Sequence, residues 1–439
     1  MISNRHDYPN NPRPRRVRLS AVQATLFLVL SNFLVTFGAF AVLAKLDPDT
    51  AKDLFAGIAG ANRFLPYLVG SVFAVAVLLL GLRLPRLIGL FSLAGVVGCL
   101  GTIGLWSQGV TGWPLLAAFA VVFAALTLTW ALRADIASRY QTPEIKSRLV
   151  VWVEASFAVA AMISFLIWPK SMLGFGDLGT ALWTAAVLFA IGTAVDLFVY
   201  RLSPTPKKQD EAEEEAAAEG AGPPSYLTFV RWALALALLT VGVQMTITKA
   251  SDNNVLLYLS FEVGTAIAGL LASFVIIHIC RAPLALNVYG EKTPKFRVDL
   301  VLSAVLCLAL MVASFLLPSD PLAIRWVCLF AASLIYELAF ATTLDWMGSA
   351  AAMKRVPGVV SSTKGISVVL VVGAYWVLGI LSDAGRIAAI DTVLMYVAAA
   401  ALVGALLCLL PDLFRKTIVT ALQPALLPEP VQEEVLSRT

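Results

Sequence analysis

Apolar runs of about 20 residues recur along the whole chain, at roughly 20–44, 56–80, 87–106, 114–132, 150–168, 179–200, 227–248, 255–279, 299–317, 322–345, 359–382 and 389–411. An α-helix needs about 20 residues to cross ~30 Å of hydrocarbon. Inside that layer the backbone must satisfy its own hydrogen bonds, which leaves helices and closed barrels as spanning structures. The pattern predicts an all-α membrane protein with twelve transmembrane helices. Composition agrees: 59% of residues are hydrophobic, 14% are charged and the mean hydropathy is +0.84, too apolar for a soluble globule. Neither a nucleic-acid partner nor a water-soluble enzyme fits such a chain. The first run is too long for a signal-peptide core and lacks a small-residue cleavage site, so it reads as the first span.

One interior stretch cannot live in a membrane. Leu202–Tyr226 holds four prolines, two glycines, and six acids against two lysines, a composition that favours solvation over packing. It divides the chain into a first set of six runs at 20–200 and a second at 227–411. Residues 1–19 form a basic start with Arg5, Arg13, Arg15, Arg16 and Arg18, and 412–439 form a tail. With an inside amino terminus, most of the 32 lysines and arginines fall on that same side. The positive-inside rule then places both termini and the acidic linker 201–226 in the cytoplasm of a cell whose plasma (inner) membrane holds the chain.

The two sets echo each other. Run four ends in Thr127-Leu-Thr-Trp-Ala-Leu-Arg-Ala-Asp135 and run ten in Glu337-Leu-Ala-Phe-Ala-Thr-Thr-Leu-Asp345, while runs one and seven close on Lys45 and Lys249. The loop after run four reads Thr142-Pro-Glu-Ile-Lys-Ser-Arg148, and the one after run ten opens Val356-Pro-Gly-Val-Val. With six runs, a long charged linker and six runs, the chain resembles the major facilitator superfamily, whose proline-led basic loops lie at these places. The resemblance implies two pseudo-symmetric six-helix bundles, related by an axis along the membrane normal. The loop between runs two and three, Gly81-Leu-Arg-Leu-Pro-Arg-Leu-Ile-Gly89, keeps the family's Gly and Arg86 but has Pro85 where the family has Asp.

Ionisable residues inside the runs are the sharpest functional signal, because each costs about 2.5–3.5 kcal/mol at a helix centre on insertion scales. Glu337 lies mid-way along run ten beside Tyr336, two turns before Asp345. The family's first, fourth, seventh and tenth helices line its central cavity, so the resemblance turns Glu337 toward a substrate or coupling proton. The alternative is a protonated Glu in an interhelical hydrogen bond. Arg63 and Glu262 occupy matching depths in runs two and eight and suit an outer ion-pair gate, or simply the water level. Glu154 and Lys364 form the inner counterpart, with Arg86 as a latch between halves or a topology anchor. Asp196 and His278, near cytoplasmic ends, read as interface anchors. Asn32 and Gln244 need partners in hydrocarbon, whether helix–helix hydrogen bonds or a wet cavity.

Absent motifs narrow the chemistry. There is no G-x-x-x-x-G-K-[ST] loop and no H-E-x-x-H. The cysteines, Cys99, Cys280, Cys307, Cys328 and Cys408, include no C-x-x-C pair and read as small core residues. No enzyme activity, cofactor or metal is expected. The remaining reading is a secondary active transporter, moving a small solute by alternating access as a monomer in contact with membrane lipid, with H+ as the default coupling ion. A lipid or lipid-linked glycan flippase and a non-transporting membrane assembly subunit are the alternatives.

Overall fold

The computed structural model of the chain describes residues 21–80, 87–137, 143–169, 173–202, 226–250, 263–264, 267, 304–309, 330 and 359–422. Among them all regular structure is helical. The first region comprises α1 (Ala21–Lys45), the short α2 (Pro48–Leu54), α3 (Leu65–Leu79), α4 (Ile88–Ser107), α5 (Trp113–Ala137), α6 (Pro143–Ile167) and α7 (Leu178–Leu202). The second comprises α8 (Tyr226–Ala250), α9 (Val359–Asp383) and α10 (Ile387–Leu422). Helices α1, α4, α5, α7, α8, α9 and α10 each carry a stretch long and apolar enough to cross a membrane. The chain is thus a multi-pass membrane protein.

Small residues set the packing. Lipid tails give helices no hydrophobic reason to associate, so close backbone approach through Gly and Ala supplies the attraction. A methyl group on Gly70 of α3 would collide with the Ala120 carbonyl of α5. One on Gly38 of α1 would stand 2.9 Å from the Ala185 Cα of α7, and one on Gly98 of α4 would stand 3.0 Å from the Val122 nitrogen of α5. Accordingly α1 lies on α6 and α7, α4 on α5 and α7, and α3 on α5. Helix α5 is the axis of this region, with 78% of its apolar window buried. In the second region α8 packs on both α9 and α10, around Val241, Met245, Leu378, Ile390, Leu394, Ala398 and Ala401.

Two boundaries depart from the sequence expectation. Run two was expected as one long span from 56, but only Leu65–Leu79 is helical there. Ahead of it the chain turns through Gly57 and Gly60 at φ +80° and +70°, a left-handed backbone that glycine adopts without steric cost. Arg63 therefore sits in the approach to the helix rather than within it. At the other end α10 passes through Pro411 and continues to Leu422, into the residues expected as tail. At 36 residues and 1.5 Å per residue it is about 54 Å long, well beyond the ~30 Å hydrocarbon layer.

Candidate functional site

The two regions meet where α9 lies against α3 and α5. At one end of this junction Asn62, just before α3, donates from Nδ2 to the Trp376 carbonyl of α9 at 3.1 Å, and Trp376 Nε1 donates back to the Gly60 carbonyl at 3.0 Å. This reciprocal pair needs bare backbone on both sides. A methyl on Gly379 would stand 2.8 Å from Asn62 Nδ2, and one on Gly60 would stand 3.1 Å from the Trp376 ring. Phe64 stacks on Tyr375 at 5.5 Å, and Lys52 lies 3.9 Å from Asp383. Arg63 places its guanidinium 5.0 Å from the Phe64 ring centre. Its expected partner, Glu262, lies outside the described residues.

Toward the other end, Lys364 enters the protein interior from the second turn of α9. It is fully buried, and its ammonium nitrogen stands 4.3 Å from the centre of the Trp130 ring of α5. A desolvated cation over an indole face gains about 2 kcal/mol or more, comparable with the insertion cost of the charge. The ring itself stacks on Phe157 of α6 at 5.1 Å. From there an aromatic chain runs inward, Phe157 to Phe40 of α1 at 5.4 Å and Phe40 to Tyr67 of α3 at 6.2 Å. Trp130 Nε1 here and Thr36 Oγ1 on α1 are shut from solvent and make no hydrogen bond. An unmade bond at a buried donor costs about 1–3 kcal/mol.

Three residues beyond Trp130, α5 carries Arg133, buried completely against an equally buried Asp196 of α7. The guanidinium forks onto the carboxylate, Nε to Oδ1 at 3.2 Å and Nη2 to Oδ2 at 2.9 Å. Ser31 of α1 and Ser92 of α4 donate their hydroxyls to the same two oxygens at 2.5 and 2.7 Å. Arg133 Nη1 donates to Asn32 Oδ1 at 3.2 Å, and Asn32 Nδ2 donates to the Val153 carbonyl and to Ser156 Oγ of α6 at 2.9 and 3.0 Å. Each carboxylate oxygen thus accepts two bonds, and the network joins α1, α4, α5, α6 and α7. Asp196, which read as an interface anchor, instead forms with Arg133 the polar core of the first region. The available signal was an acid inside the apolar run 179–200 and an arginine at the end of run four, opposite the polar pair Ser31-Asn32 of run one.

Of the expected site residues, the structure unites Asn32 with this network and Lys364 with Trp130. Gln244 lies on α8, where its carbonyl accepts from Thr248, whose hydroxyl stands 2.8 Å from that of Tyr375 on α9. Glu337, Tyr336, Asp345, Arg86 and Glu262 lie outside the described residues, as does the side chain of Glu154.

No protein-family model matches the sequence, and no curated protein matches it. Solved structures do. The human organic anion transporter MFSD10 (TETRAN) superposes with a TM-score of 0.53 at 14% identity, over 90% of this chain and 100% of that one. A bacterial homologue of the iron transporter ferroportin, in an outward-facing state, gives 0.58 at 14% identity over 89% and 99%. The major facilitator superfamily transporter FucP, in its outward conformation, gives 0.50 at 13% identity over 87% and 97%. The chain therefore has the fold of the major facilitator superfamily.

Proposed function

We propose that the chain is a secondary active transporter that moves a small solute by alternating access, with no catalytic step of its own. The supporting observation is the build of the junction. Helix α9 meets α3 and α5 through apolar side chains such as Val368 and Val372, the Asn62–Trp376 hydrogen bonds and the Lys364–Trp130 contact, whereas the first region is tied internally by a saturated ionic network. A body locked by a buried ion pair and one held by apolar packing, joined to it through a single helix in the described residues, can part and rejoin along that helix. In this reading two six-helix bundles, 20–200 and 227–411, rock about a central site, with the linker 201–226 and both termini in the cytoplasm and the chain acting as a monomer in the plasma (inner) membrane. Protons are the coupling ion, carried by Glu337 with Glu262 next in line. Arg63 with Glu262, and Glu154, Lys364, Arg86 and Asp345, serve the outer and inner closures.

The test is movement across the seam. Spin labels at Asp53→Cys and Arg386→Cys, two exposed positions on opposite regions, are measured by pulsed electron paramagnetic resonance in lipid nanodiscs after removal of reactive native cysteines. Two distance populations whose balance changes with pH are expected. A single unchanging population overturns alternating access. In vesicles, Glu337→Gln is expected to lose uphill accumulation and keep exchange; accumulation equal to the parent across a range of pH transfers the proton role to Glu262.

A further inference from the structure

The junction of α9 with α5 presents donors. Lys364 brings an ammonium with three N–H groups and no lone pair, and an indole N–H can only donate. Trp130 Nε1 is without a hydrogen-bond partner, in a side chain nine-tenths buried. Thr36 adds a hydroxyl likewise without a partner and completely buried. It occupies the α1 stripe between Asn32, which bonds Ser156, and Phe40, whose ring meets Phe157. Residues four apart share a helix face, so Thr36 belongs to the side of α1 that faces α6 next to the Trp130–Phe157 pair.

We propose that Lys364, Trp130 and Thr36 hold the head group of a small organic anion, a monocarboxylate or monosulfonate, whose flat apolar body lies among Phe157, Phe40 and Tyr67. The assignment rests on the transporter reading, because α9 must part from α5 before a ligand can reach the pair. A cationic ligand would meet an ammonium at the same place. A fully charged phosphate would find too few donors among rings to replace its hydration. One delocalised anionic group with an aromatic body satisfies both the donors and the walls. In the closed junction the ammonium rests on the indole face instead, so ligand and ring compete for the same cation, and binding favours the open arrangement.

The experiment uses the full chain in lipid nanodiscs and measures equilibrium binding of radiolabelled benzoate, with benzenesulfonate, benzyl alcohol and benzylamine as matched competitors. Saturable benzoate binding is expected, displaced by benzenesulfonate and neither by the alcohol nor by the amine. Lys364→Gln is expected to weaken it about tenfold or more, the loss of a charge-assisted bond, while Lys364→Arg retains the anion preference. Trp130→Phe keeps a ring for the ammonium and removes the N–H, so it is expected to weaken benzoate severalfold. It serves as the deciding variant should Lys364→Gln fail to elute as a monodisperse species. The assignment falls if neither anion binds saturably, if benzyl alcohol competes as well as benzenesulfonate, or if the folded Lys364→Gln or the Trp130→Phe protein binds benzoate as the parent does. The Asp53/Arg386 label pair in the same preparation separates the two ideas: two distance populations without anion binding leave the transporter standing and remove the anion, and a single population removes the transporter itself.

Discussion

The first region locks an ion pair in its centre, and the second, in its described helices, keeps one at its rim. Arg133 and Asp196 are fully buried and bonded to four further side chains. Lys249 and Asp391 pair at 2.7 Å with about a quarter and half of their side chains exposed. The core between α8, α9 and α10 is mainly apolar, with the Thr248–Tyr375 hydroxyl pair between α8 and α9. A buried pair in hydrocarbon fixes geometry more than it adds stability, since desolvation consumes most of the Coulombic gain. The first region is thereby held to one arrangement of its helices. The second is held by apolar packing, which tolerates sliding better, and its helix α9 is the element that crosses to the first.

The largest effect expected from breaking this contrast is at the buried pair. Arg133→Met leaves the Asp196 carboxylate buried with only its two serine donors, and removal of one partner from such a pair costs about 3–5 kcal/mol. Thermal unfolding of the purified protein should show a large loss, with Arg133→Met/Asp196→Leu recovering much of it. A single variant as stable as the parent would remove the network as the organiser of the first region. Next in size is overpacking at Gly70. Gly70→Ala forces α3 away from the Ala120 carbonyl, at about 1–3 kcal/mol. Because α3 also carries the contacts of the seam, the variant should shift the Asp53/Arg386 distance as well as the melting temperature. Smaller again is the rim pair. Lys249→Gln should cost about 0.2–1 kcal/mol, as exposed pairs do, and less at high salt. A loss as large as that of Arg133→Met would end the distinction between the two regions.

The fold and the ends of most described spans were legible because hydrocarbon imposes a length and a composition that a sequence displays directly. The expected runs at 20–44, 87–106, 114–132, 179–200, 227–248 and 359–382 agree with α1, α4, α5, α7, α8 and α9 to within a few residues. Run two was misread because Phe64 and the residues before it are apolar enough to extend the run, while the turn that precedes the helix depends on two glycines at positive φ. The polar network was half legible. Asn32 was expected to need a partner, but which partner depends on helix rotation, and hydropathy carries no information on that. Arg133 and Asp196 both sit within two turns of a helix end, where composition cannot separate a charge facing headgroups from one turned inward. Lys364 was singled out for its depth, but its contact with Trp130 was not legible, because a tryptophan in an apolar run looks like any other packing residue.

The smallest expected effect compares how the two regions begin a helix after a turn. Helix α10 follows a turn at Gly385, φ +67°, closed by backbone bonds such as Arg386 N–H to the Leu381 carbonyl at 3.0 Å. Helix α7 follows a turn at Gly176, φ +61°, and is tied by side chains. Asp177 accepts the Thr180 backbone N–H and the Thr180 hydroxyl, both at 2.7 Å, as a helix N-cap does. Lys45, at the end of α1, donates to the Gly176 carbonyl at 2.6 Å. The Thr180 backbone N–H, then the Thr180 hydroxyl, hold the exposed Asp177 carboxyl below its ordinary value, with a minor contribution from the charge of Lys45. Its folded value therefore lies beneath the unfolded one of about 3.9. The stabilisation is complete above that pH and is lost as pH falls through the folded value. Hydrogen-exchange protection factors at the first turn of α7 should drop on acidification below about pH 4. In Asp177→Asn, which still caps but does not titrate, the drop should be absent. A first turn of α7 that responds to acid equally in parent and variant would assign the response to other groups at that end of the protein and leave the two helix starts physically alike.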